Sequence, residues 1–142
     1  MGNVVTIDDG LKTYDIQNKE GKILGQFSFN PGDTGIVKRY NKALENFEKV
    51  FSEIDKIEDD AELEQYIDAL DAKVYEFVDS IFDADIASNF FSIMGPFSLL
   101  ESGSFFVENV LDVIGSVIQS ETGERVQKLD KKIKKHTAKY HK

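Results

Sequence analysis

The side chains with most chemical capacity in this sequence are carboxylates. Asp79 and Asp83 stand four apart and share one helix face, with Asp85 close behind. Such a trio could offer oxygen ligands to a hard divalent cation. The pattern then stops short of a calcium loop: Ile86 and Ala87 follow, position 88 is Ser, and neither the central Gly nor the closing Glu is present. Helix capping and surface charge are the expected roles. The only histidines, His136 and His141, are five apart, so they point to different faces of a helix and have no third ligand near them. Gly32-Asp33-Thr34-Gly35 follows a strand and opens a helix, as a phosphate loop does, but no Lys or Gly follows at the required offset. Asp33-Thr34-Gly35 also spells the aspartic-protease triplet, whose chemistry needs two such loops on a β scaffold or a β homodimer. No Ser has a nucleophile-elbow context. The absence of Cys excludes thiolate zinc sites, disulfides and Cys nucleophiles, and it suits a reducing cytosol. The reading is therefore of a non-enzyme with no catalytic residue, no cofactor and no metal.

The elements that carry these residues read as a single domain over 1–142, by the usual size prior. Apolar residues at 41% and charged residues at 30% are globular proportions. No apolar run approaches a membrane span, and the N-terminus lacks the regions of a secretory signal, so a cytoplasmic location is expected. Gly2 and Thr6 fit the myristoylation pattern formally. Val4, Thr6 and Ile7 read better as the start of a strand.

The fold class expected is α+β, mainly helical: a small N-terminal antiparallel hairpin or sheet over 3–29, then four to five helices. Tyr14 and Ile16 alternate with polar neighbours, while Ile23, Phe27 and Phe29 are placed to share one strand face. Asn18-Lys19-Glu20-Gly21 reads as the hairpin loop, with Gly21 free to take positive φ. Residues 4–7 could add a third strand before the turn signal Asp8-Asp9-Gly10. Pro31 ends the sheet, and Asp33 or Thr34 can cap the next helix. The helical core is expected over 33–120. Its first helix, 34–57, has Ile36, Tyr40, Ala43, Leu44, Phe47, Val50, Phe51 and Ile54 on one stripe, with Lys38, Arg39, Lys42, Glu45, Glu48 and Lys49 on a solvated face. Asp59 with Glu62 forms a variant capping box for a second helix running to 82, with Leu63, Tyr66, Ile67, Leu70, Val74, Phe77, Val78 and Ile81 inward. A short third helix is expected over 83–94, stopped by Gly95 and Pro96. Ser104 can cap a fourth helix carrying Phe106, Val110, Leu111, Ile114, Val117 and Ile118, in which Gly115 either weakens the helix or admits a close neighbour. A basic C-terminal helix is expected over 121–142, with a break near 120–123 and fraying after about residue 136.

Seven of the eleven phenylalanines fall within 77–106, the densest apolar stretch and the expected centre of the core. Between its helices, the connector 95–104 carries Phe97, Leu99 and Leu100 outside any stripe; they read either as core or as an assembly surface. Charge divides sharply. Residues 125–142 carry Arg125 and seven lysines against Asp130, a net +7, which leaves −16 of the total −9 on residues 1–124. An acidic body argues against a dedicated nucleic-acid surface. The basic tail has three readings: a sequence-blind nucleic-acid arm, cations at a helix C-terminus, or contact with the acidic body of a neighbouring subunit.

With the segments placed, the chain resembles the small tail assembly chaperones of long-tailed phages and prophages of Gram-positive bacteria. One stretch that carries the resemblance is Gly25-Gln26-Phe27-Ser28-Phe29-Asn30-Pro31-Gly32-Asp33 running into a helix. The other is Val78-Asp79-Ser80-Ile81-Phe82, followed after a gap by Asn89-Phe90-Phe91, which is similar to the family's Asp-x-x-Phe then Phe arrangement. The family usually has glycines just after the first Phe, where this chain has Asp83 and Asp85. The resemblance implies a non-catalytic protein that self-associates, coats the helical tape measure protein, and is displaced by tail tube protein. No membrane partner is expected, and the acidic body makes nucleic acid an unfavoured partner. Phe97, Leu99, Leu100 and Phe105, with Arg125, Lys128, Lys131, Lys132 and Lys135, are the expected partner-binding residues. A phage neck or tail structural protein and a small inhibitor-type binding module are the alternatives.

Overall fold

The computed structural model describes residues 2–129. Along the chain run β1 (Lys12–Gln17), β2 (Ile23–Phe29), α1 (Ile36–Lys56), α2 (Asp60–Phe82), α3 (Ala87–Phe91) and α4 (Phe106–Thr122). This is the expected α+β, mainly helical class: one antiparallel hairpin followed by four helices.

The hairpin has two unlike faces. Outward, Thr13 and Ser28 share a hydroxyl hydrogen bond of 2.8 Å, and Gln26 donates to Asp15 at 2.7 Å. Inward, Tyr14 lies opposite Phe27. Asn18 closes the loop by accepting from the N–H groups of Glu20 and Lys22, and Gly21 takes φ +85° as the sequence predicts. Ile23 departs from its expected face. Ile16 pairs with Gly25 but Gln17 pairs with Ile23, so a bulge intervenes and turns Ile23 outward, 50% exposed. The third strand over 4–7 is not formed: residues 2–11 are exposed and carry no strand. Their turn is there, but the carboxylates of Asp8 and Asp9 take the N–H groups of Gly10 and Leu11 locally.

The α1 stripe is buried residue for residue as its periodicity predicts. The helix starts at Ile36 because Asp33 accepts from the Gly35 N–H and holds the chain in a turn before it. Arg39 is not on the solvated face. Its guanidinium pairs with Asp33 and donates through Nε to the Ile81 carbonyl at 2.9 Å, tying the start of α1 to the end of α2. Asp59 caps α2 by accepting from Glu62 N–H at 3.0 Å.

After α2 the chain reverses through Asp83 in the left-handed region, φ +52°, so α3 is shorter than the expected 83–94. Its cap comes from behind: the Asp79 carboxylate accepts from Ile86 and Ala87 N–H at 2.9 and 2.7 Å. This contact absorbs the leading member of the carboxylate trio. At α4 the N-cap is Phe105, not Ser104. The buried Glu108 carboxylate reaches back to accept from the Phe105 N–H at 2.6 Å, which satisfies one of the donors a helix start leaves open. Gly123, φ +74°, ends α4. Residues 123–129 are not helical, which corrects the helix expected over 121–142 for its described part. Val126 and Leu129 are nonetheless buried, with Asn41 Oδ1 accepting from Gln127 N–H at 2.9 Å. The fraying expected after residue 136 lies outside the described residues.

The core brings α1 and α4 into close contact. Tyr40, buried in α1, donates its hydroxyl to the Leu111 carbonyl at 2.7 Å, and a Cβ on Gly115 would come within 2.8 Å of Tyr40 Cζ. Of the two roles open to Gly115, the structure takes close approach. Gly115→Ala is therefore expected to lower stability by about 1–3 kcal/mol through overpacking, although Ala is the better helix former. Urea unfolding of Gly115→Ala in the wild-type and Tyr40→Phe backgrounds checks this. The loss should shrink when the hydroxyl is removed, and equal losses would show that Tyr40 is not the obstacle.

Candidate interaction surface

The connector apolars expected at a partner surface turn largely inward. Ser98 N–H bonds to Gly95 O, Leu100 N–H to Ser104 O, Phe106 N–H to Ser98 O and Val107 N–H to Pro96 O, at 2.8 to 3.1 Å. These bonds close residues 95–104 into a compact loop. Phe97 packs edge-on against Phe105 at 5.2 Å between centroids, and Leu99 bridges Phe105 through the backbone. Phe105 itself is 2% exposed, while Phe97, Leu99 and Leu100 are half-buried. The structure therefore gathers these four residues, with Phe105 in the core and Phe97 and Leu99 packed against it, while Leu100 is half-buried beside them. Arg125 and Lys128 are exposed on the segment after α4, and Lys131, Lys132 and Lys135 lie outside the described residues.

The open apolar surface is elsewhere. Val4, Val5 and Ile7 on the N-terminal arm are all more than four-fifths exposed. On the body, Leu24, Met94 and Val113 are exposed, and all three line one groove of about 530 Å³. Its helical wall is Phe106, Val110, Val113 and Val117 of α4; its other wall is the run 14–19 from β1 and its turn, with Phe27 and Phe90 also lining it. The sequence held a signal for it. Beside the buried stripe Val107, Leu111, Ile114 and Ile118, α4 carries a second stripe at the same spacing, Phe106, Val110, Val113 and Val117. A helix with two apolar stripes has more apolar surface than one core contact covers.

Glu121, near the end of α4, accepts from Lys12 Nζ at 2.7 Å and from the Tyr14 hydroxyl, and so fastens β1 to that helix. These hydrogen bonds, Lys12's first, hold the Glu121 carboxyl below its usual range. Burial, aided by Glu121, pushes the Tyr14 hydroxyl up. Asp33 is lowered by Arg39 and by the Gly35 amide, and Tyr40 and Tyr66 are raised by burial. Each of these shifts has a structural contact as its cause. Among the described residues no group of three His, Cys, Asp or Glu is placed to hold a metal ion, and no helix is long and apolar enough to cross a membrane. No family model, curated protein or solved structure matches the chain.

A carboxyl whose folded pKa is lowered stabilises the fold above its unfolded value and loses that contribution as pH falls through the folded one. Glu121 and Asp33 start from ordinary values of 4.5 and 3.8. Glu121→Gln and Asp33→Asn should each lower the melting temperature at neutral pH and flatten its fall below those values. Thermal melts across the acid range check this, and an unchanged acid slope in both variants would count against the two contacts.

Proposed function

We propose that this protein acts by binding rather than catalysis, as a tail assembly chaperone that self-associates and covers the tape measure protein in the host cytoplasm until tail tube protein displaces it. The observation that carries the binding reading is where the exposed apolar residues lie. Among the described residues most of them fall on one arm (Val4, Val5, Ile7 and Leu11) or around one groove (Leu24, Met94 and Val113), with Ile23 outside both, and apolar surface grouped in that way marks partner sites. Of the titratable groups with shifted proton affinity, Glu121, Tyr14, Asp33 and Tyr40 are engaged in contacts that hold elements together. The phage assignment rests on the resemblance of the strand, Asn-Pro turn and following helix, and of the Asp79, Phe82 and Phe90 spacing. The charge division supports the coating step: an acidic body and a basic tail can pair between neighbouring copies along an extended partner, giving an open, head-to-tail assembly.

The purified chain should co-elute with a tape measure protein in several copies per partner, more weakly at high salt. Truncation after Leu129 should leave the helical circular dichroism intact and weaken that co-elution by about tenfold or more at low salt, because it removes six of the seven tail lysines. Size-exclusion chromatography with light scattering makes the measurement. A tape measure protein that elutes alone would overturn the reading, and recovery of this chain in finished tails would favour a neck or tail structural protein instead.

A further inference from the structure

The groove is shaped for a strand. Residues 14–19 line it without a gap, although side chains along a strand alternate between faces. Four consecutive strand residues, Tyr14 to Gln17, followed by the turn residues Asn18 and Lys19, line one wall, as a backbone edge would. Among the described residues the two-stranded sheet leaves one edge of β1 without a strand partner, and such an edge is a template for another chain. The opposite wall is the second apolar stripe of α4. An occupant therefore needs backbone donors and acceptors on one side and apolar side chains at strand spacing.

Residues 3–7, Asn-Val-Val-Thr-Ile, have that form and no strand partner of their own. Val5 and Ile7 would stand about 6.8 Å apart along a strand. That matches the rise of about 6 Å between Val113 and Val117, one helical turn apart. Lys19, which also lines the groove, carries the charge opposite to Asp8 and Asp9 at the base of the arm.

The arm is held off its own β1. A tight Asp9-Gly10 hairpin would use the Leu11 N–H to pair back onto the arm. Here that N–H is bound by the Asp9 carboxylate at 3.0 Å, beside an Asp8 carboxylate that takes the Gly10 N–H at 2.8 Å. A Cβ on Gly10 would lie 2.8 Å from the Asn30 side chain, so the arm's root packs closely against the end of β2.

We propose that the N-terminal arm of one copy adds as a strand to the β1 edge in the groove of a second copy. The five-residue strand 3–7, about 17 Å long and about 10 Å wide, buries roughly 340 Å² counting both partners, and exchange of two arms about 700 Å², the size of a weak, reversible contact rather than a permanent one. This deepens the self-association in the proposed function, but it stands on the arm and groove alone and needs neither the basic tail nor a phage partner.

The test is complementation between full-length variants. Val5→Asp with Ile7→Asp disables the arm, and Val113→Glu disables the groove; all three side chains are exposed, so the fold should tolerate the changes. Sedimentation velocity should show wild-type association that persists at high salt and after truncation behind Leu129. Each variant alone should associate at least about tenfold more weakly. An equimolar mixture should recover a complex, because one variant keeps a working arm and the other a working groove. A mixture that stays monomeric where wild type associates would overturn the proposal. So would a wild-type monomer at every concentration whose arm amides are protected from hydrogen exchange, since the arm would then lie on its own β1. Co-elution with a tape measure protein reads the phage assignment separately, and either result can fail without the other.

Discussion

The aromatic ring of Phe27 is the contact on which the arrangement most depends. A two-stranded hairpin is marginal in water and needs other elements to cover its apolar face. Phe27 supplies that attachment: its centroid lies 5.2 Å from Tyr14, 6.1 Å from Phe29, 6.2 Å from Phe82 and 5.0 Å from Phe90. One ring thus joins both strands to the end of α2 and to α3. The phenylalanines of 77–106 are divided among separate contacts. Phe77 meets Phe47, Phe91 meets Phe106 and Tyr75, and Phe97 meets Phe105. The densest apolar stretch of the chain therefore serves several junctions, while the centre lies on a strand far from it in sequence.

A second layer of constraint is polar and fixes what the rings leave free. Asn89 donates to the Gln26 carbonyl at 2.6 Å, which directs α3 along β2. Arg39 joins Asp33 to the end of α2, and Glu121 joins β1 to α4. Tyr40 sets the depth of α4 through Leu111 and the gap at Gly115. Close seating of α4 on one stripe places its other stripe opposite the hairpin. The groove follows from these ties: β1 and α4 are joined near Glu121, and the space beside that junction remains open.

Legibility in the sequence followed how local each cause was. The α1 stripe and the Asp59 cap could be read because each is set by neighbours within one or two turns. The α3 start could not, since its cap is Asp79, separated from Ala87 by a left-handed residue and read more naturally as one of three surface acids. Glu108 carries no sequence mark of its role, yet it is buried and caps the helix in place of Ser104. Ile23 was misplaced by one bulged residue, because strand periodicity carries no mark of a register shift. Of the two roles open to the connector apolars, spacing cannot choose, because their packing depends on backbone bonds between 95–100 and 103–107 that spacing does not encode.

The arm is the case where local preference and described structure disagree. Val4, Val5, Thr6 and Ile7 have strand chemistry, because β-branched side chains suit a pleated surface. A preference of that kind is realised only when a sheet edge and an apolar wall are supplied together. Within one copy the Asp8 and Asp9 turns point the arm elsewhere; a second copy offers both in its groove. The charge on the body bears on how such surface is tolerated. With −16 on residues 1–124, acidic bodies that meet face to face repel one another, which limits indiscriminate apolar contact between them. A mating that orders backbone hydrogen bonds and fills one groove can overcome that repulsion, whereas a loose encounter between apolar patches cannot. In the proposed arm exchange, exposed apolar residues would favour association and the acidic body would restrict it to a defined geometry.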